Sequence, residues 1–168
     1  MPDIDNHTPC TPLEALQSVW SEGWHSLCLQ VPGMKFRAFG FYDNPEELLA
    51  VAAMNPEANV WWGVHALGSV PQHGRGSRED VAGIVALSAD FDWADDEAHS
   101  DTELPDELEV RRKVAEMVPQ PTLVIDSGHG VQCYWTLTEE LGRDEGAKLI
   151  DGFFRFIERT TGLKNDRI

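Results

Sequence analysis

Cysteine is scarce in this chain, and long apolar runs are absent from it. Its three cysteines, Cys10, Cys28 and Cys133, are too few and too scattered for a disulfide framework or a zinc site built on CxxC pairs. No apolar stretch approaches the roughly 20 residues that a membrane-spanning helix needs. Residues 1–11 lack the basic start and apolar centre of a secretory signal. We therefore expect free thiols, no membrane partner and a cytoplasmic location.

Basic residues are also in short supply. Thirteen Lys and Arg residues oppose 29 Asp and Glu residues, which gives a net charge of −16 and a pI of about 4.5. Such an excess of negative charge repels phosphate backbones, whereas sequence-independent nucleic-acid binding rests on Lys and Arg. Nucleic-acid binding by this chain alone should therefore be weak. An acidic host proteome or a separate basic domain would also explain the imbalance.

The rest of the composition is that of an ordinary folded protein. Hydrophobic residues make up 42% of the chain and charged residues 25%, both near globular averages. A length of 168 residues is enough to bury one substantial core. The composition therefore predicts a single domain over residues 1–168.

Capping signals predict the helices. Three segments each combine a capping residue with a nearby proline and glutamate, ahead of apolar residues at helical spacing. They are 11–14, 44–47 and 104–107. In the first of these helices the apolar spacing continues as far as Trp24. A fourth helix is predicted over 143–161, where Gly162 supplies the end signal.

Runs of apolar and β-branched residues predict the strands. They cover 36–42, 59–67, 81–93, 122–126 and 131–137. The last two are separated only by Ser-Gly-His-Gly, which predicts a hairpin. Strands interspersed with helices in this order indicate an α+β protein.

Two carboxylates end the most apolar of these strands. Residues 84–89 form a nearly continuous apolar run, and Asp90 and Asp92 follow it. Residues two apart on a strand share a face, so both carboxylates should project together and could hold Mg²⁺ or Mn²⁺. A bare DxD pattern is weak evidence, because Asp3 and Asp5 form another. The alternative interpretation is a surface turn whose aspartates only cap the acidic loop that follows.

The hairpin turn carries the second group of candidate residues. Gly128 and Gly130 flank His129 and permit positive φ and close backbone approach. The Ser127 hydroxyl, the His129 ring and exposed backbone amides could therefore converge on a phosphate. The alternative is a hairpin whose glycines serve only the turn.

Together these segments resemble a known family. Asp90-Phe91-Asp92, followed by PTLVIDSGHGVQCYW at 121–135, is similar to the bifunctional primase-polymerase domain of the archaeo-eukaryotic primase superfamily, found in plasmids and phages. The resemblance implies an α+β primase core whose RRM-like mixed or antiparallel sheet is flanked by helices. It also implies template-dependent transfer of nucleotides from NTP or dNTP to a 3′-hydroxyl by a two-metal mechanism.

The resemblance assigns roles to particular residues. Asp90 and Asp92 would bind Mg²⁺ or Mn²⁺, with Asp166 as the third catalytic carboxylate. Ser127, Gly128 and His129 would contact the triphosphate of the incoming nucleotide. Arg75 would join them from the loop Gly74-Arg75-Gly76-Ser77, which resembles a loop seen in the family.

The resemblance also implies partners. They would be NTP or dNTP, a single-stranded DNA template and a helicase, either C-terminal or separate. The family continues past the position of Ile168 with a further strand, so the chain is expected to be truncated. If the missing strand is needed to support the site, the isolated domain would be inactive.

Two other functions remain open from the sequence. A degenerate primase fold that binds nucleotides or replisome proteins without catalysis would fit the acidity. A DxD glycosyltransferase using a nucleotide sugar would account for Asp90 and Asp92 but gives no role to the Ser127-Gly128-His129 turn.

Overall fold

The computed structural model describes residues 10–94, except 32 and 36, and residues 104–163. Over this part the chain is a mixed α+β protein, as predicted. Its helices and strands follow one another as α1 (Pro12–Ser18), β1 (His25–Gln30), β2 (Arg37–Tyr42), α2 (Pro45–Ala53), β3 (Asn59–Trp62), β4 (Gly83–Asp92), α3 (Glu107–Ala115), β5 (Leu123–Asp126), β6 (Gly130–Gly142) and α4 (Arg143–Thr161). No helix in the described part combines the length and apolar character needed to cross a membrane.

The described chain divides into two compact units. Of the described residues, the first unit comprises 10–85, less 32 and 36, and 138–146, and the second comprises 86–94, 104–137 and 147–163. Strands β4 and β6 and helix α4 contribute residues to both units. Of the segments considered above, most of the acidic loop after β4 (95–103) and Asp166 lie outside the described residues.

The first unit contains a three-stranded antiparallel sheet in the order β2-β1-β3. The central strand β1 and the flanking helices bury a small leucine core formed by Leu16, Leu27, Leu29 and Leu48. Helix α1 begins as predicted, because the Thr11 side chain caps the backbone N–H of Glu14 while the Glu14 carboxylate bonds back to Thr11. Helix α2 begins after Asn44, whose side chain accepts hydrogen bonds from the backbone N–H groups of Glu46 and Glu47.

The first helix is shorter than its apolar spacing suggests. Helix α1 ends at Ser18, and Trp24 instead forms an antiparallel bridge with Leu67, so the predicted extension to Trp24 is wrong. The buried ring of His25 starts β1 just beyond it, with Nδ1 2.8 Å from the Gly63 carbonyl oxygen. The Trp20 ring stacks on His25 at 3.8 Å, so this tryptophan packs within the unit although it lies outside the helix.

The second unit is built on the sheet β4-β6-β5, which two helices cover on one face. Strands β5 and β6 form the predicted antiparallel hairpin, with Leu123 opposite Tyr134 and Asp126 opposite Val131. The odd-numbered residues of β4 and β6 point into the core with apolar residues of α3 and α4. This core contains Leu87, Ala89, Phe91, Trp93, Val131, Cys133, Trp135, Val110, Val114, Phe154 and Ile157. The even-numbered residues of both strands therefore lie on the opposite face.

Helix α3 begins, and helix α4 begins and ends, close to the predicted positions. The Asp106 side chain caps α3 by accepting a hydrogen bond of 2.7 Å from the Glu109 backbone N–H. Helix α4 ends at Thr161, and Gly162 follows with φ +67, the left-handed conformation that glycine adopts at little cost. Their apolar sides close the core over one face of the sheet, and the even-numbered face carries the buried Ile84, Ala86 and Tyr134 as well as the half-buried Asp90 and Asp92.

Candidate metal and nucleotide site

Asp90 and Asp92 end strand β4 on the face away from the core. The Phe91 side chain between them is fully buried among core residues, so the two half-buried carboxylates share the opposite face. The predicted strand end is therefore confirmed in position, because β4 ends at Asp92. Two like charges on one face of a strand destabilise each other unless a cation lies between them.

The Ser127–Gly130 turn lies directly beside this strand end. The Trp93 backbone N–H donates to the His129 carbonyl oxygen at 3.2 Å. Gly130 packs so closely that a Cβ atom there would lie 2.7 Å from both Asp92 Oδ1 and the Phe91 carbonyl oxygen. The two sequence motifs thus meet at one edge of the second unit, and glycine at position 130 makes their contact possible.

The turn itself is exposed and internally hydrogen-bonded. The Ser127 N–H donates to the Gly130 carbonyl oxygen at 3.0 Å, and the Gly128 N–H donates to Asp126 Oδ1 at 2.8 Å. These two amides are therefore engaged within the turn, contrary to the expectation that they would face an anion. Gly128 instead serves the turn through its φ of +90. The side chains of Ser127 and His129 remain at the solvent-exposed tip as the candidate phosphate ligands.

An arginine that sequence reasoning did not single out anchors this turn. Arg111 of α3 forms an ion pair with Asp126 and a second one, of 2.7 Å, with Glu107. Its guanidinium also lies over the Trp93 ring, 5.1 Å from the ring centroid. The Glu107 pair has the helical spacing of four residues that a sequence can show. The Asp126 pair joins positions far apart in the chain and has no such signal.

The Arg111 hydrogen bond holds the pKa of Asp126 below its usual range, and the Gly128 N–H adds to this effect. A carboxyl with a lowered folded pKa stabilises the fold above its unfolded pKa, and this contribution is lost as pH falls through the folded pKa. We therefore expect Asp126→Asn to destabilise the protein most near neutral pH. Urea unfolding at about pH 6 and about pH 3 should show the difference from wild type shrinking in acid. An equal difference at both pH values would contradict a role for the ion pair.

Cys133 does not contribute a ligand to this site. It faces the core and is fully buried, and this burial together with the negative charge of Asp90 raises the pKa of its thiol to about 12. A thiol with so high a pKa stays protonated at neutral pH, whereas metal ligation and nucleophilic attack need the thiolate. The sequence-based view of Cys133 as a free thiol agrees with its position.

Arg75, the remaining predicted nucleotide ligand, belongs to the first unit. It is exposed in the segment between β3 and β4. Burial raises the pKa of the Cys28 thiol, and the positive charge of Arg75 acts on that thiol in the opposite direction. Its contact with a nucleotide stays a prediction.

The donor chemistry of Asp90 and Asp92 fits a divalent cation. Over residues 10–94, less 32 and 36, and 104–163, no group of three or more His, Cys, Asp or Glu side chains is arranged to hold a metal ion. Mg²⁺ does not require such a group, because it is commonly held by one or two carboxylates together with substrate phosphates and water. The predicted third carboxylate, Asp166, lies beyond the described residues.

The paired carboxylates and the exposed turn are the chemical features from which a function can be inferred. Asp92 and Gly130 bring them into contact, and Ser127 and His129 supply polar side chains at the turn. No protein-family model, no curated protein and no solved structure matches this chain.

Proposed function

We propose that the second unit binds a nucleoside triphosphate with Mg²⁺ or Mn²⁺ and transfers its nucleotide to a 3′-hydroxyl, as a primase-polymerase of the archaeo-eukaryotic primase superfamily does. The observation that carries this proposal is the contact of Gly130 with Asp92. It joins a metal-binding carboxylate pair to a turn with two phosphate-binding side chains. A carboxylate pair alone would suit many metal enzymes, but the adjoining Ser127-Gly128-His129 turn favours a phosphorylated substrate.

Each group has a distinct role in this proposal. Asp90 and Asp92, with Asp166, hold the divalent cations, which supply charge neutralisation for the triphosphate and the leaving pyrophosphate. The Ser127 hydroxyl and a His129 ring N–H donate hydrogen bonds to phosphate oxygens. His129 thereby orients the triphosphate and does not act as a general base. The ion pair of Arg111 with Asp126 holds the turn that carries both side chains.

The acidity of the chain shapes how it would engage a template. A net charge of −16 opposes the phosphate backbone, so binding of single-stranded DNA by this chain should be weak. The triphosphate differs from the template in this respect, because its charge is neutralised locally by the cations at Asp90 and Asp92. A helicase or another basic partner would then supply most of the affinity for DNA.

Primer synthesis and extension on single-stranded DNA, with NTP or dNTP and Mg²⁺ or Mn²⁺, tests the proposal. We expect metal-dependent product that EDTA abolishes. His129→Ala should lower the rate by about 10- to 100-fold, the effect of losing a hydrogen bond to a charged group. His73→Ala, at an exposed histidine of the first unit, is the matched control and should leave the rate unchanged.

Two other results would overturn catalysis of nucleotide transfer. Triphosphate binding without product, by a folded wild-type chain, would instead indicate a nucleotide-binding module. Turnover of a nucleotide sugar under the same conditions would indicate a glycosyltransferase.

A further inference from the structure

Two further polar side chains of β6 share the face of Asp90. Gln132 and Tyr134 follow Gly130 at intervals of two, so all three lie on the side away from the core. Gln132 Nε2 donates to Asp90 Oδ2 at 3.3 Å, and the Tyr134 hydroxyl donates to Gln132 Oε1 at 3.1 Å. A line of hydrogen bonds therefore runs from Tyr134 through Gln132 to Asp90.

The chemistry of the three groups fixes the direction of this line. A carboxylate only accepts hydrogen bonds, so the amide must turn its NH₂ end towards Asp90. The amide oxygen then faces Tyr134, whose hydroxyl donates to it. Tyr134 is 1% exposed, and a buried phenol needs a hydrogen-bond partner, so its hydroxyl is held in place by packing. Asp90 therefore determines which way the Gln132 amide points, and the hydrogen bond from Tyr134 holds the amide in that orientation.

Asp126 and Asp90 accept hydrogen bonds from side chains of different charge. Asp126 is neutralised by the guanidinium of Arg111, so its charge is used within the fold. Asp90 accepts a hydrogen bond from the amide of Gln132, a neutral donor that orients the carboxylate without neutralising it. A neutral donor is the suitable partner for a carboxylate that must attract a cation, because a Lys or Arg in its place would cancel the attraction.

We propose that Gln132, held by Tyr134, is a positioning residue that orients the Asp90 carboxylate for divalent-cation binding. This inference rests on the proposed function, since it concerns the same metal site. Groups that hydrogen-bond to metal ligands orient them, and losing such a group typically lowers metal affinity by about 10- to 100-fold. Gln132 contributes through Asp90 and does not itself touch substrate.

Mn²⁺ affinity of the full chain, measured by electron paramagnetic resonance without nucleotide, tests the inference. We expect Gln132→Leu to weaken binding by about 10- to 100-fold. Tyr134→Phe, which keeps the buried ring and removes only the hydroxyl, should weaken it by about 2- to 10-fold. Gln132→Lys keeps a donor but cancels the charge of Asp90, so it should bind Mn²⁺ more weakly than Gln132→Leu does.

Thr122→Val provides the control for stability. The Thr122 hydroxyl lies in the same hairpin, where it donates to the Tyr134 carbonyl oxygen and accepts from the Thr136 N–H. Neither of these hydrogen bonds involves Asp90. This variant should lower the melting temperature and leave the Mn²⁺ affinity unchanged. Wild-type affinity in Gln132→Leu or in Gln132→Lys would overturn the positioning role and leave the proposed function standing. Absence of Mn²⁺ binding by the wild-type chain, both without nucleotide and with a nucleoside triphosphate present, would overturn both.

Discussion

Replacing Asp90 and Asp92 together by asparagine should abolish both Mn²⁺ binding and nucleotide transfer without unfolding the protein. Asparagine keeps the size of each side chain, and its amide oxygen can still accept a hydrogen bond from Gln132. The substitution also removes two like charges from one face of β4, which lessens their mutual repulsion in the metal-free protein. The loss of rate should be about 10³-fold or more, because bound cations contribute several kcal/mol to the transition state.

Thermal unfolding with and without Mn²⁺ tests the predicted loss of Mn²⁺ binding without an activity assay. At a metal concentration about 100 times Kd, binding to the folded state adds about 2.7 kcal/mol. For a protein of this size that corresponds to a rise in Tm of roughly 5–10 °C. The double variant should show no rise. Asp43→Asn, at an exposed aspartate of the first unit, removes one charge elsewhere and should keep the full rise. A Mn²⁺-induced rise that persists in the double variant would place the cation elsewhere.

The parts of the fold that the sequence predicted are those with local physical causes. Thr11, Asn44 and Asp106 each accept a hydrogen bond from a backbone N–H in the first turn of the following helix, and these short-range contacts are visible in the sequence. The hairpin of β5 and β6 is equally local, since its turn joins two strands that pair with each other.

Strand β1 was not predicted because its signal is not local. Five of its six residues are buried, so it shows no alternation of apolar and polar positions. The spacing of Leu16 and Trp20 continues the helical pattern to Trp24. The chain leaves that pattern because Trp24 pairs with Leu67 and His25 is buried beside Gly63. Contacts between residues so far apart in the chain outweigh the local preference for a longer helix.

In the candidate site, too, the local features are visible in the sequence and the long-range contacts are not. The strand end at Asp92 and the turn at Ser127–Gly130 are local features that the sequence shows. Their contact depends on β6 lying between β4 and β5, an order that the sequence does not state. The ion pair of Arg111 with Asp126 depends on the packing of α3. The only sequence signal for Gln132 is its spacing of two residues from Gly130 along a strand, which places both residues on one face.

The contact between the two motifs leads to the second large effect, which concerns Gly130. A Cβ atom at this position would lie 2.7 Å from the Phe91 carbonyl oxygen and from Asp92 Oδ1. The carboxylate can rotate away, but the Phe91 carbonyl belongs to the backbone of β4, so the strands must separate. Gly130→Ala should therefore destabilise the protein by about 1–3 kcal/mol and weaken Mn²⁺ binding, because Asp92 is displaced.

Gly128→Ala is the matched variant within the same turn. A Cβ atom at Gly128 meets no atom within 4 Å, so the cost there comes only from its φ of +90 and should be about 1–2 kcal/mol. The two alanine variants should thus lose similar stability, measured by urea unfolding, while only Gly130→Ala loses Mn²⁺ affinity. Equal Mn²⁺ affinity in both variants would mean that the turn and the carboxylates are adjacent but that the packing of Gly130 does not affect metal binding. Weaker binding in Gly130→Ala alone would make the packing of Gly130 on Asp92 a requirement of the metal site.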